Sequence, residues 1–198
     1  MNRIRRRKNP SVKRAQGAMM TDDRQLQSAT FEWTDPEVAI LDLPRLSGLE
    51  YLTRLRDGAI PAPPIAALMR FDLVEVSEGE VEFECRPGVA HFNPLGTVHG
   101  GLACTLLDTV LGCAVHSTLP AGTGYTSIDI AVSYVRPIQP QSRPLRAFGR
   151  VTKAGSRVSF AEGRIVDADG RLLASATGSL LVFPLAGGAH HSFGRTPL

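Results

Sequence analysis

Residues 100–117 constrain this chain more than any other stretch. Leu102 to Ser117 suits about four and a half turns of helix, entered through Gly100-Gly101 and closed by Leu119-Pro120-Ala121-Gly122. Leu102, Ala103, Leu106, Leu107, Val110, Leu111, Ala114 and Val115 are distributed around the whole circumference, leaving no ordinary solvent face. A helix that is apolar all round is a buried helix. Asp108 nevertheless sits at its centre, and a carboxylate in such a place is costly unless it is paired or has a task.

The neighbouring segments supply what could bury such a helix. Residues 67–76 and 80–87 read as two strands about a Ser77-Glu78-Gly79 turn, with Val81, Phe83 and Cys85 alternating against Glu82, Glu84 and Arg86. After the helix come a strand over 127–135, one over 145–153, one over 158–167 and a last one over 171–183 reached through an Asp169-Gly170 turn. In the first of these, Ile128, Ile130 and Val132 alternate against Asp129, Ala131 and Ser133. A short amphipathic helix around 47–56, with Leu49, Leu52 and Leu55 on one side, precedes them all and is stopped by Pro61-Ala62-Pro63-Pro64. This order predicts an α+β domain in which one curved antiparallel sheet of about six strands wraps a single long buried helix.

Within 198 residues that gives one domain over 40–184, a polar basic extension over 1–30 and a tail over 185–198, both expected to lack order. Seven positive charges and no acid fall in residues 1–18, and without them the formal charge drops from +3 to −4. The basicity therefore belongs to the extension, whose alternative reading is a start placed ahead of Met19 or Met20. No aromatic residue interleaves those basic side chains, which argues against a nucleic-acid platform. No apolar run approaches the roughly 20 residues of a membrane span, and no secretory signal pattern follows the basic start. Cys85, Cys104 and Cys113 form neither a disulfide framework nor a zinc pattern, which fits a reducing, cytoplasmic setting. No metal set or cofactor fingerprint is expected.

On a helical projection Gly101, Thr105, Asp108 and Gly112 fall within an arc of about 60°, a small and polar stripe expected to be the face the sheet leaves uncovered. Gly100 and Gly101 open the helix, where unpaired N–H groups and the macrodipole favour developing negative charge. That is the layout of an oxyanion hole, and Asp108 supplies a general base or nucleophile. About 10 Å of helix separates Gly101 from Asp108, whereas a reacting carbonyl must lie roughly 3 Å from both functions. Antiparallel two-fold pairing along the stripe would bring each Asp108 to the other chain's Gly100, so the geometry predicts a homodimer, alone or doubled into a tetramer.

The run His91-Phe92-Asn93-Pro94-Leu95-Gly96-Thr97-Val98-His99-Gly100-Gly101, with Asp108 nine residues after His99, resembles the signature of hotdog-fold acyl-CoA thioesterases of the PaaI (phenylacetate-pathway) type. Tyr125-Thr126-Ser127-Ile128-Asp129-Ile130 and Tyr134-Val135-Arg136-Pro137 continue the likeness, which spans about residues 44–184. The resemblance implies that Asp108 activates water or attacks the thioester. It further implies that the Gly100 N–H and the Asn93 side chain polarise the carbonyl from the opposite subunit. His99 would support the loop, and Ser127 would help hold the water. Acyl-CoA is the implied substrate, with Gly101 and Thr105 on the substrate-facing stripe and Arg136, Arg143, Lys153 and Arg157 as candidates for the CoA phosphates. Two other readings stay open: a non-catalytic acyl-CoA-binding or sensing module, and an acyl carrier protein dehydratase, which His91-Phe92 superficially resembles.

Overall fold

A computed structural model describes residues 26–139 and 144–185. The basic run over 1–18, Arg143 and the His190-His191 pair lie outside the described residues. Three helices lead: α1 (Pro36–Ile40), α2 (Gly48–Arg56) and α3 (Pro64–Met69). Strands β1 (Phe71–Ser77) and β2 (Glu80–Cys85) follow, then a 3-10 turn at Val89–His91, the long helix α4 (Gly100–His116) and strands β3 (Thr123–Tyr134), β4 (Leu145–Lys153), β5 (Val158–Val166) and β6 (Leu172–Pro184).

The short helix expected near residue 50 is α2, started by a capping box in which Ser47 and Glu50 exchange side chain-to-backbone hydrogen bonds. Two strand boundaries differ from expectation: β3 begins at Thr123 rather than at 127, and β1 begins only at Phe71. Residues 67–69 belong to α3, because Pro64 sits in its first turn, where the missing N–H costs nothing, and Arg70 ends it in the left-handed region at φ 57°. The helix α1 has no counterpart in the hydrophobic pattern; Asp35 caps it through Glu37 N–H and Pro36 opens it.

All six strands form one antiparallel sheet in the order β1-β2-β4-β5-β6-β3. The β4-β5-β6 meander anticipated from the turns is present, and β3 ends the sheet by pairing with β6, its other edge meeting no strand among the described residues. α4 packs against β2 to β6, and all eight of its aliphatic residues named above are buried. The sheet makes room for it with a row of small residues: Gly149 on β4 pairs with Gly163 on β5, which pairs with Ala176 on β6. A Cβ on Gly149 would stand 2.1 Å from the Val110 carbonyl oxygen, so helix and sheet touch backbone to backbone. This is the hotdog arrangement: a curved sheet around one long helix.

Candidate functional site

The lead-in to α4 is a self-tied loop. The Asn93 Oδ1 accepts from the N–H groups of Leu95 (2.9 Å) and Thr97 (3.2 Å), while its Nδ2 donates to Thr97 Oγ1 (2.9 Å). Asn93 therefore spends one carboxamide hydrogen and its oxygen on the loop, and one Nδ2 hydrogen remains. His91 latches this loop to the end of α3: its Nδ1 accepts from Gly88 N–H (2.9 Å) and its Nε2 lies 3.0 Å from the Leu68 carbonyl. His99 is the N-cap of α4, its Nδ1 accepting the Gly101 N–H at 2.8 Å.

That cap corrects one expectation. The Gly101 N–H is already used, so the free donor at the helix start is Gly100 alone; among the described residues nothing accepts its hydrogen. Tyr134, a residue to which the pattern analysis gave no role, donates from its hydroxyl to the Gly100 carbonyl at 3.2 Å and lays its ring 3.2–3.5 Å from where a Gly100 Cβ would be. Asn93, Gly100, Tyr134 and Arg136 together line a cleft of about 270 Å³. Arg136 also donates to the Leu172 carbonyl at 2.7 Å, which holds its guanidinium beside the cleft.

Asp108 lies elsewhere, two turns down the helix. The carboxylate is exposed in the single chain rather than buried, because among the described residues no strand covers the face carrying Gly101, Cys104, Thr105 and Asp108. Gly112, expected on the same open face, is instead buried beneath Tyr125. Thr105 turns its hydroxyl back onto the Gly101 carbonyl (3.0 Å). Ser127 donates to Asp108 Oδ1 at 2.7 Å, so a residue of β3 holds the carboxylate directly.

Simple alternation cannot produce that contact. A bulge at Ser127/Asp129 makes Ile128 the extra residue of β3, and the side chains that meet the core or α4 change from Tyr125 and Ser127 before it to Ile130, Val132 and Tyr134 after it. Ile128, expected inside, is 55% exposed. The bulge is what lets one strand meet the helix at Asp108 through Ser127 and at Gly100 through Tyr134.

The three cationic candidates among the described residues do not converge. Arg136 lies just beyond the end of β3, on the Gly100 side, whereas Lys153 ends β4 and Arg157 precedes β5 at the opposite end of the sheet. Below Asp108 lies a layer of rings in which His116 stands 5.5 Å from Tyr51 and 5.4 Å from Tyr125, centroid to centroid. Burial lowers the His116 pKa to about 4 and pushes the neighbouring Cys113 thiol up to about 12.

Residues 95–174 match the family model of the Thioesterase superfamily. Human acyl-coenzyme A thioesterase 13 is 34% identical over 70 residues, 35% of this chain and 49% of its own length. The chain spans from 29% to 49% of the length of the curated relatives it matches. A phenylacetic acid degradation-related protein from Ralstonia eutropha JMP134 is similar in structure, with a TM-score of 0.61 and 29% identity, covering 66% of this chain and 98% of its own. The E. coli PaaI protein of the phenylacetic acid degradation operon shares the fold, with a TM-score of 0.62 at 18% identity over 71% of this chain and all of its own.

Proposed function

We propose that this chain, whose residues 95–174 belong to the Thioesterase superfamily, hydrolyses an acyl-CoA thioester to a carboxylic acid and free CoA in a site shared by two copies. The observation that carries the reading is the division of the site along α4. An oriented carboxylate, Asp108 held by Ser127, lies on an uncovered face, and a free N–H donor, Gly100, opens a cleft about two turns away. One carbonyl cannot reach both within a chain. Two-fold pairing of antiparallel helices along the uncovered face supplies the missing half in each direction, and the free edge of β3 lies beside that face.

In that arrangement Asp108 takes a proton from a water, whose oxygen attacks the thioester carbonyl carbon; direct attack by the carboxylate is the alternative first step. The carbonyl oxygen gains negative charge beside the partner copy's Gly100 N–H and the remaining Asn93 Nδ2 hydrogen. The carbon–sulfur bond then breaks, the electron pair leaves with sulfur, and the thiolate takes up the proton. Arg136 lines the same cleft, which supports a role for it in meeting the CoA portion. His99 and Tyr134 fix the first turn that aims Gly100.

A dehydratase reading gives His91 the chemistry, but both its ring nitrogens are engaged with the backbone at Gly88 and Leu68. A binding-only module separates from an enzyme by experiment. Asp108→Asn is expected to lower turnover of acyl-CoA by at least ~1,000-fold while a non-hydrolysable thioether analogue still binds and the dimer mass persists. Turnover unchanged in Asp108→Asn overturns the proposal.

A further inference from the structure

The cleft beside Gly100 is rich in hydrogen-bond donors and short of acceptors. The Gly100 N–H, one Asn93 Nδ2 hydrogen and Arg136, whose guanidinium has N–H groups to spare, all line it. Its side-chain oxygens are mostly spent. Asn93 Oδ1 already accepts from two N–H groups, and Thr97 Oγ1 accepts from Asn93. Tyr134 differs. Its hydroxyl gives its single hydrogen to the Gly100 carbonyl at 3.2 Å, so toward anything entering the cleft its oxygen can only accept. Tyr134 is 58% exposed in the single chain, and the phenol oxygen stands 3.5 Å from where a Gly100 Cβ would be. This acceptor therefore lies within one residue's width of the Gly100 N–H.

In the two-copy arrangement proposed above, Asp108 of one copy faces the cleft of the other, and the thioester carbonyl oxygen lies at the Gly100 N–H of that cleft. Tyr134 and Arg136 belong to the same copy as that Gly100, so the arm that enters the cleft meets all three. The thiol arm of CoA suits this order of groups. It carries an amide N–H three bonds, or about 4 Å, from the sulfur, and its phosphates lie farther out. An amide N–H taken out of water weakens binding unless an acceptor replaces the water. Gly100, Asn93 and Arg136 offer hydrogens to the oxygens of such a substrate, and none of them accepts its N–H.

Resting on the hydrolase reading above, we infer that Tyr134 is a substrate-binding residue whose hydroxyl oxygen accepts the amide N–H next to the thioester sulfur. The contact selects thioesters of pantetheine-type thiols over thioesters that lack that N–H. Donation to the Gly100 carbonyl fixes the hydroxyl hydrogen, which leaves the oxygen lone pairs for the ligand.

The test uses the full chain and two model thioesters: S-butanoyl-N-acetylcysteamine, and the ketone in which a CH2 replaces its amide N–H. The wild type is expected to favour the amide over the ketone in kcat/KM by at least ~10-fold. Tyr134→Phe keeps the ring against Gly100 and removes the oxygen, and is expected to cut that preference to ~3-fold or less. Misplacement of Gly100 alone would slow both thioesters alike, so an unchanged preference in Tyr134→Phe overturns the inference. A wild type that treats the two thioesters alike overturns it as well. If Tyr134→Phe loses its melting transition, Tyr134→Leu, which also lacks the oxygen, makes the same comparison. Affinities of the corresponding non-hydrolysable thioethers, measured by calorimetry, read the contact without turnover. An amide preference in those affinities that Tyr134→Phe abolishes, with neither thioester turned over, supports the contact while refuting the hydrolase, so the two failures are distinct.

Discussion

Gly149→Ala is the sharpest perturbation of the scaffold that holds the site. A methyl group there would lie 2.1 Å from the Val110 carbonyl oxygen and 2.6 Å from its carbonyl carbon, and ordinary contact begins near 3.4 Å. The obstacle is backbone on the helix side and backbone on the sheet side, so no rotamer change relieves it. The helix must retreat by about 1.3 Å, the difference between those two distances. Overpacking of this kind costs about 1–3 kcal/mol, and rigid walls put it at the upper end; relief of glycine's entropy cost returns at most ~1 kcal/mol. The expected net loss is about 2 kcal/mol, a factor of roughly 30 in the folding equilibrium, read from urea unfolding followed by far-UV circular dichroism. Gly163→Ala provides the contrast, because its nearest neighbour is the end of the Leu111 side chain at 2.7 Å, which can turn aside. Val110 lies two residues from Asp108, so a retreat of that size also moves the carboxylate from Ser127, and misplacement by about 1 Å can cost on the order of 100-fold in rate. A stability loss for Gly149→Ala below ~0.5 kcal/mol, or one no larger than that of Gly163→Ala, would refute backbone-to-backbone seating of α4.

Two further outcomes follow from the site and the layer beneath it. Ser127→Ala removes the 2.7 Å hydrogen bond to Asp108; at ~1.5–3 kcal/mol for a bond to a charged acceptor, kcat should fall about 10- to 150-fold with melting temperature nearly unchanged, and a change under ~2-fold would separate Ser127 from the chemistry. His116 has a folded-state pKa near 4, below the ordinary value of 6.5, because burial disfavours its charged form. Between those values the unfolded chain binds the proton and the folded chain does not, so stability is fully present above about pH 6.5 and is lost as pH falls toward 4. The loss amounts to about 3 kcal/mol, and His116→Phe should flatten it in denaturation curves taken across that range.

Much of this architecture was legible because period and polarity report burial directly. The run from Leu102 to Val115 could be nothing but a core helix, and the alternation of Val81, Phe83 and Cys85 gave β2 its inward face. The meander followed from turn chemistry, as Asp169-Gly170 sits where φ reaches 79° at Gly170. The helices α1 and α3 were not legible: five and six residues are too short for a period to register, and their caps and prolines decide them. The role of Tyr134 was hidden for another reason, since its hydroxyl meets a residue 34 positions away.

The sequence by itself determined that a carboxylate lies on a helix otherwise made for the core, and that two glycines open that helix nine residues downstream of His91. Which side of β3 faces Asp108 was a tertiary decision. Parity along the strand places Ser127 opposite Ile128 and Ile130, and the one-residue bulge at Ser127/Asp129 breaks that parity. The bulge exists because β3 must follow both β6 and the surface of α4, and a regular pleat cannot keep Ser127 on Asp108 and Tyr134 on Gly100 at once. The end of the uncovered face was decided the same way: Gly112 looks open on a helical projection, and only the packed Tyr125 ring, brought from another element, closes it. Local pattern fixes which atoms an element carries, whereas irregular pairing and long-range packing fix which of them meet.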